Sequence, residues 1–255
     1  MINVDKNTFL DINLKAINKN YNIIKQIVGG KCIIAATVKA NAYGLGADQV
    51  VNSLIKKGCK YFFVATTNEA IYLRKLNKRI FIFILNGLVT KELKNIRKFN
   101  LIPVINNLAQ LKKIENYQKE NNCFLNIAIH FDTGMSRLGL DQNETENLIK
   151  NKALLIKKSK LRLIMSHLSC ADDKKSKLNK MQLNKFNFVK SHFPNCLCSL
   201  SNSAGILLGK KYHFDMVRPG ISLYGGQCQI NEKIIYENVV SIKAKLIQKI
   251  GRAHV

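Results

Sequence analysis

Eight short apolar runs, separated by segments with the spacing of amphipathic helices, limit what this chain can fold into more than any other feature. Such an alternation of strand and helix indicates a parallel sheet, and eight repeats predict a (β/α)8 barrel. A doubly wound sheet is the alternative, but the glycine-rich fingerprint of that fold is absent from the sequence. The runs are residues 32–38, 61–65, 80–85, 101–105, 124–131, 161–166, 196–200 and 214–217.

The segments around these runs carry recognisable helix and strand signals. Residues 9–14 resemble a short strand, and apolar residues on one helical face follow over 17–28 until a Gly-Gly pair. Thr66 and Glu69 have the spacing of a capping box, which predicts that a helix begins there. Pro103 lies inside one run and weakens its prediction as a strand. Residues 239–247 alternate enough to be a strand of a further unit.

Chemically distinctive residues fall at or just after the ends of the apolar runs. These residues are Lys39, Arg137, His167, Asn202 and Arg218. In a (β/α)8 barrel the carboxyl ends of the strands meet at one face, where such barrels build their active sites. The sequence therefore predicts that these side chains come together.

Lys39 directly follows the first run and begins a loop that contains Gly44 and Gly46. A lysine at the end of a buried strand is costly unless it is paired, deprotonated or used covalently. The alternative is a lysine whose stem packs against the protein while its ammonium group reaches solvent. The residues of this loop alone leave both interpretations open.

The net charge of +25 raises the possibility of nucleic-acid binding, which predicts steeply salt-dependent association. The basic residues are spread along all 255 positions, however, and only seven are arginine, so the charge is more typical of compositional drift. The seven cysteines form no Cys-x-x-Cys pair, which indicates free thiols rather than a zinc site or disulfides. No apolar stretch approaches the roughly 18 residues of a membrane span, and the N-terminus lacks a signal-peptide pattern. We therefore expect a cytoplasmic protein.

Residues 38–46, with the sequence VKANAYGLG, resemble the lysine motif of the alanine racemases. Four further blocks are similar to that family in the same order, and the five together span most of the chain. The resemblance implies a fold-type III enzyme that uses pyridoxal 5'-phosphate and racemises alanine. The four blocks are residues 132–139, 166–172, 202–205 and 214–225.

The resemblance also implies roles for individual residues. Lys39 would form the imine with the cofactor and then act as the general base on one face of the substrate α-carbon. Arg137 would contact the cofactor phenolate and the substrate carboxylate, to which a bidentate guanidinium is suited. His167 would pack beside the pyridine ring, and Asn202 belongs to the block that binds the phosphate. Arg218 would face the pyridine nitrogen and keep it unprotonated, which discourages transamination.

The cofactor phosphate needs hydroxyl and amide donors, and the resemblance implies four positions for them. The hydroxyl groups would come from Tyr43 and Ser203, and the backbone amides from Gly220 and Ile221. No metal ion is implied.

Two departures from the family pattern affect these expectations. His130 stands where the family commonly has a lysine, often carbamylated, that orients the arginine matching Arg137. Because imidazole carries no stable carbamate, we expect His130 to form a local hydrogen bond and Arg137 to be positioned differently. The second departure is the family's C-terminal β-domain, which supplies the opposite base, a tyrosine, to the partner subunit and is missing here after residue 249.

The sequence predicts three segments. Residues 1–237 would form the cofactor-binding barrel, and residues 238–249 the beginning of the C-terminal β-domain. Residues 250–255 match one translated frame of a common sequencing adapter, which predicts a foreign tail on a gene fragment. We therefore expect cofactor binding with little or no racemisation from this chain, and a homodimer only for the full-length form.

The resemblance implies that the full-length enzyme supplies D-alanine for peptidoglycan. Two other functions stay open: a racemase of another small amino acid such as serine, and a non-catalytic carrier of pyridoxal phosphate built on a single barrel.

Overall fold

In the computed structural model, eight parallel strands form a nearly closed barrel. The structure describes residues 7–155, 159–249 and 251. The strands are β1 (Thr8–Ile12), β2 (Ile33–Thr37), β3 (Tyr61–Val64), β4 (Phe81–Ile84), β5 (Ile102–Ile105), β6 (Leu125–His130), β7 (Ser159–Met165), β8 (Leu197–Ser199), β9 (Met216–Val217) and β10 (Val240–Ala244). The sheet order is β8-β7-β6-β5-β4-β3-β2-β9. This order confirms the predicted (β/α)8 architecture.

At the seam between β8 and β9 the barrel is closed by isolated backbone hydrogen bonds and not by a continuous strand ladder. The Asp215 N–H donates to the Cys198 carbonyl at 3.1 Å, and the Arg218 N–H donates to the Ser201 carbonyl at 3.0 Å. Because β9 contains only two residues, it pairs with β2 over Ile33 and Ile34 alone. The seam therefore lies beside Arg218, one of the predicted site residues.

Helices surround the barrel, as the sequence predicts. They are α1 (Leu14–Val28), α2 (Lys39–Tyr43), α3 (Ala47–Lys56), α4 (Thr67–Leu76), α5 (Leu93–Lys98), α6 (Leu108–Glu120), α7 (Gln142–Leu155), α8 (Lys177–Ser191) and α9 (Ser203–Ile206), with 3-10 turns at Thr90–Glu92, Lys210–Tyr212 and Ile221–Tyr224. The Asn13 side chain caps α1, which ends before Gly29. The capping box of Thr66 and Glu69 is present at the head of α4. Within the described residues, no helix combines the length and the apolar character that crossing a bilayer requires.

Two apolar layers hold these elements together. One fills the barrel interior, where Phe63 of β3 stacks on Phe83 of β4 with ring centroids 4.6 Å apart. The other lies between the strands and the helices and contains buried residues such as Ile17 and Ile24 of α1. The strand around Pro103 is present: Pro103 lies opposite Ile84 of β4, and Val104 and Ile105 pair with β6.

The first and last strands lie outside the barrel sheet. β1 pairs antiparallel with β10, with Thr8 opposite Ala244 and Ile12 opposite Val240. The strand expected within residues 239–247 is therefore present, and the early strand expected within residues 9–14 is its partner. Of the predicted foreign tail at 250–255, only Gly251 lies within the described residues.

Candidate active site

The nine residues to which the resemblance assigns cofactor or substrate contacts line one cavity of about 630 Å³ at the carboxyl ends of the barrel strands. They are Lys39, Tyr43, Arg137, His167, Asn202, Ser203, Arg218, Gly220 and Ile221. The structure thus brings together side chains from five separate stretches of sequence. The lining contains three cationic side chains and one carboxylate, that of Asp172, so the cavity favours an anionic ligand.

Lys39 comes two residues after β2 and is half-buried at the cavity. It begins α2, but the next four residues have left-handed backbone angles, with φ from 51° at Ala40 to 58° at Tyr43. For L-residues this conformation costs roughly 1–2 kcal/mol each, so neighbouring contacts must hold the turn. The Ala40 N–H donates to Glu69 Oε1 at 2.7 Å, and Asn41 Oδ1 accepts from the Ala47 N–H at 2.8 Å.

The loop after β6 carries Arg137 to the mouth of the cavity. Asp132 Oδ1 accepts hydrogen bonds from the backbone N–H groups of Gly134, Met135 and Ser136 at 2.9–3.1 Å. Burial alone would raise the pKa of Asp132, but these three N–H groups lower it. The carboxylate is therefore ionised at neutral pH and organises the turn that presents Arg137.

His130, at the end of β6, lines the same cavity as Arg137. Its Nδ1 atom lies 3.1 Å from Asn106 Oδ1. Asn106 Nδ2 donates to the carbonyl groups of Leu85 and Val104, so its Oδ1 faces the ring and accepts from an Nδ1–H. Burial and the charge of Arg218 lower the pKa of His130 to about 3. The ring is therefore neutral, with an unprotonated Nε2. The hydrogen bond expected of His130 is made to Asn106 on the neighbouring strand end.

Arg218 lies beneath the cavity and is 4% exposed. Its guanidinium donates to the Ser199 hydroxyl and to the Ser166 carbonyl, and lies 5.9 Å from the centroid of the Phe63 ring. Burial lowers the pKa of Arg218 to about 9, which still leaves it protonated at neutral pH. The structure therefore holds a fixed, poorly hydrated cation at the floor of the site.

His167 lies between Arg218 and Asn202. Its Nδ1 is 3.4 Å from Arg218 Nη2, and its Nε2 is 3.3 Å from Asn202 Nδ2. Burial, followed by the charge of Arg218, lowers the pKa of His167 well below its usual value. A neutral ring accepts at only one nitrogen, which accounts for the length of these two contacts to donors. Asn202 also caps α9, because its Oδ1 accepts from the Gly205 N–H at 2.9 Å.

A cluster of donors surrounds the Ser203 hydroxyl. Ser203 Oγ accepts from the Gly220 N–H at 2.9 Å, from the Ser222 N–H at 3.2 Å and from Ser222 Oγ at 3.0 Å. A Cβ atom added at Gly220 would lie 2.3 Å from Tyr43 Oη, so the backbone there approaches the phenol as only glycine allows. Ile221 is 43% exposed at the adjacent rim. Hydroxyl and amide donors around a small space suit a phosphate group.

Three residues with a role in this geometry are not predicted by the sequence patterns. Asn106, which sets the tautomer of His130, directly follows β5 and carries the same strand-end signal as the predicted residues. The spacing of Glu69 from Thr66 indicates only a helix cap. Ser222, which donates to Ser203, gave no signal beyond its place in the last block. Among the described residues, no group of three or more His, Cys, Asp or Glu side chains could hold a metal ion.

Comparisons with known proteins agree on one family. Residues 12–228 match the family model described as alanine racemase, N-terminal domain. The chain is 44% identical over 217 residues to the alanine racemase of Rickettsia prowazekii, a match that covers 85% of this chain and 53% of that protein. It is 41% identical over 239 residues to the alanine racemase of Rickettsia canadensis, covering 93% of this chain and 65% of that protein. The chain thus spans about half to two thirds of the length of these relatives.

Solved structures give the same result. The alanine racemase of Bartonella henselae with covalently bound pyridoxal phosphate superposes with a TM-score of 0.89 at 35% identity, covering 95% of this chain and 67% of that one. The biosynthetic alanine racemase of Pseudomonas aeruginosa superposes with a TM-score of 0.83 at 28% identity, covering 93% and 66% of the two chains.

Proposed function

The chain belongs to the alanine racemase family, and from that premise we propose that it is the pyridoxal 5'-phosphate-binding barrel of an enzyme that interconverts L-alanine and D-alanine. One observation carries the proposal. A lysine on a strained turn, a buried arginine and a cradle of hydroxyl and amide donors line one cavity.

The residues of the cavity fit this cofactor. Tyr43, Ser203 and the backbone amides of Gly220 and Ile221 would hold the phosphate, and the close approach at Gly220 leaves no room for a side chain. His167 and Asn202 would flank the ring. When bound, the cofactor acidifies the substrate α-proton by delocalising the resulting negative charge.

The remaining steps belong to the protein's own groups. Lys39 would attach the cofactor, and its Nζ would remove and return the α-proton on one face of the substrate. Arg137 would hold the substrate carboxylate through a bidentate pair of hydrogen bonds. Arg218 presents N–H donors and stays charged, so a ring nitrogen facing it accepts a hydrogen bond and remains unprotonated.

His130 would support Arg137 as a neutral acceptor. The ring donates through Nδ1 to Asn106, which leaves its Nε2 lone pair available to a guanidinium in the same cavity. A protonated ring would instead repel Arg137. The pair of His130 and Asn106 would thus replace the lysine that the family commonly has at this position.

The proposal extends to the whole protein of which this barrel is a part. Residues 1–237 would form the cofactor-binding unit, and residues 238–249, which contain β10, would begin a second unit. The pairing of β1 with β10 would join the two. The protein would work in the cytoplasm as a homodimer and supply D-alanine for peptidoglycan. The identities of 40–45% to proteins named alanine racemase favour alanine over serine as substrate.

Borohydride trapping tests the proposal. The 255-residue chain mixed with pyridoxal phosphate and reduced should carry one covalent adduct on Lys39, located by peptide mass spectrometry. Lys39→Ala should lose the adduct, whereas Lys57→Ala, a change at the end of α3, should keep it. No adduct on the unaltered chain would refute the proposed function.

Isotope exchange separates an enzyme from a carrier. If Lys39 acts as a base, the chain with pyridoxal phosphate in deuterium oxide should replace the α-proton of alanine with deuterium. This exchange should be faster for alanine than for serine. Adduct formation with no exchange above that of free cofactor would favour the non-catalytic carrier, and faster exchange with serine would favour the other racemase.

A further inference from the structure

Glu69 joins the head of α4 to the turn that carries Lys39. Its Oε2 accepts from the Ala65 N–H at 2.7 Å and from the Thr66 N–H at 3.2 Å, which completes the capping box. Its Oε1 accepts from the Ala40 N–H at 2.7 Å. Among the described residues, Oε2 therefore accepts from the helix cap and Oε1 accepts from the lysine turn.

The backbone of Lys39 is held on both sides by the next strand and its helix. On one side the Val38 N–H donates to the Phe63 carbonyl at 2.9 Å. On the other side the Ala40 N–H donates to Glu69. Both anchors belong to β3 and the segment that follows it, so Lys39 is fixed relative to the adjacent strand end.

The hydrogen bond from the Ala40 N–H to Glu69 stabilises a turn with unfavourable backbone angles. Ala40 is exposed and is the first of four consecutive residues with positive φ, a conformation that L-residues avoid. Such a conformation persists only where the surroundings over-determine it. A hydrogen bond to an ionised carboxylate is stronger than one to a neutral acceptor, and here it acts on the first peptide unit of the turn.

We propose that Glu69 is a positioning residue for Lys39, because its carboxylate fixes the strained turn that aims the amine into the cavity. The proposal rests on the proposed function. Glu69 would not touch substrate or cofactor. The Glu69 carboxylate would determine how much of the time the Lys39 amine is placed to reach an aldehyde carbon. There the amine would condense with the aldehyde and release one water molecule.

Two variants of the helix head separate this role from simple capping. Glu69→Gln retains an oxygen for Ala65 and Thr66 but turns an N–H group toward the Ala40 N–H, so the lysine turn loses its acceptor. Thr66→Ala removes the other half of the capping box, the hydroxyl that accepts from the Glu69 N–H, and leaves the bond to Ala40 intact. Glu69→Asp, which keeps the charge and can still cap the helix but is one methylene shorter, is the second variant if Glu69→Gln fails to fold.

The first measurement is amide hydrogen exchange over residues 38–46 in protein without cofactor. Glu69→Gln and Glu69→Asp should exchange at least about 10-fold faster than the unaltered chain there, while Thr66→Ala should stay within about twofold. Equal protection of this segment in all four proteins would overturn the proposal, whatever the cofactor chemistry.

The second measurement is the rate at which pyridoxal phosphate forms a borohydride-trappable adduct on Lys39. We expect a decrease of about 10-fold for the Glu69 variants and less than twofold for Thr66→Ala. A Glu69→Gln rate equal to that of the unaltered chain would reject Glu69 as a positioning residue and leave the proposed function intact. Absence of any adduct on the unaltered chain would instead reject the proposed function.

Discussion

Replacing His130 with glutamine should make the free energy of unfolding less sensitive to acid. Glutamine keeps an N–H for Asn106 but does not titrate. In the protein as it stands, burial and the charge of Arg218 lower the pKa of His130 from 6.5 to about 3. The unfolded chain therefore binds a proton below pH 6.5 that the folded protein excludes. The stability due to the neutral ring is complete above pH 6.5 and is lost as the pH falls.

The size of the effect follows from the two pKa values. Each unit of pH between them is worth about 1.4 kcal/mol, so lowering the pH from 7 to 4.5 should cost the unaltered protein about 2.5 kcal/mol through this ring alone. His167 titrates in the same direction in both proteins, so its contribution cancels in the difference. The difference in unfolding free energy between His130→Gln and the unaltered chain should therefore shift by about 2.5 kcal/mol over this range.

Urea titrations at pH 7, 6, 5 and 4.5 measure this difference. Gln118→Ala is the control, because it removes the buried hydrogen bonds of a side chain that does not titrate. It should lower the stability at every pH and leave the pH dependence unchanged. Parallel curves for His130→Gln and the unaltered chain would refute the reasoning, because they would mean that the ring is protonated in the folded protein.

Three further substitutions test the strained and crowded backbone at the site. Ala40→Gly should raise the free energy of unfolding by about 0.5–1 kcal/mol, since glycine adopts a φ of 51° without strain. Gly139→Ala should lower it by more than about 2 kcal/mol, because its Cβ would lie 2.8 Å from the Asp132 nitrogen at a φ of 108°. Gly220→Ala should weaken the binding of pyridoxal phosphate at least about 10-fold in a fluorescence titration, because its Cβ would fill the space beside Tyr43.

Matched controls accompany these variants. Ala109→Gly, at an exposed position of α6, should lower the free energy of unfolding by about 1 kcal/mol, opposite in sign to Ala40→Gly. Gly30→Ala should be nearly neutral, because its Cβ would meet no atom within 4 Å. A loss of stability in Ala40→Gly would show that the turn is unstrained. Equal effects at Gly139 and Gly30, or unchanged affinity in Gly220→Ala, would contradict the crowding described above.

The architecture could be predicted because parallel strands buried on both faces must be apolar along their length. Each of the eight runs overlaps one barrel strand, and the end of a run locates a polar residue at one face of the barrel. The residues at which each strand begins and ends were less predictable. The run at 214–217 yields only Met216 and Val217 as a strand, and Phe214, with a left-handed φ of 53°, is not in extended conformation.

Contacts between distant segments could not be predicted from local sequence. The pairing of Glu69 with Ala40 joins a helix cap to a turn 29 residues earlier, and its local pattern indicates only the cap. The left-handed turn was also missed, since the alanines at 40 and 42 favour right-handed helix. The hydrogen bond from His130 to Asn106 required the order of the strands, which places the ends of β5 and β6 side by side.

The pairing of β1 with β10 imposes an order on biosynthesis. A ribosome makes Thr8 long before it makes Ala244, so the first strand cannot find its partner until nearly all the barrel has been translated. Until then Phe9 and Leu10, which remain 46% and 48% exposed even when paired, belong to an open strand edge. The nascent polypeptide therefore carries an unpaired apolar strand during most of its synthesis, and that strand is open to non-native association until β10 has been made.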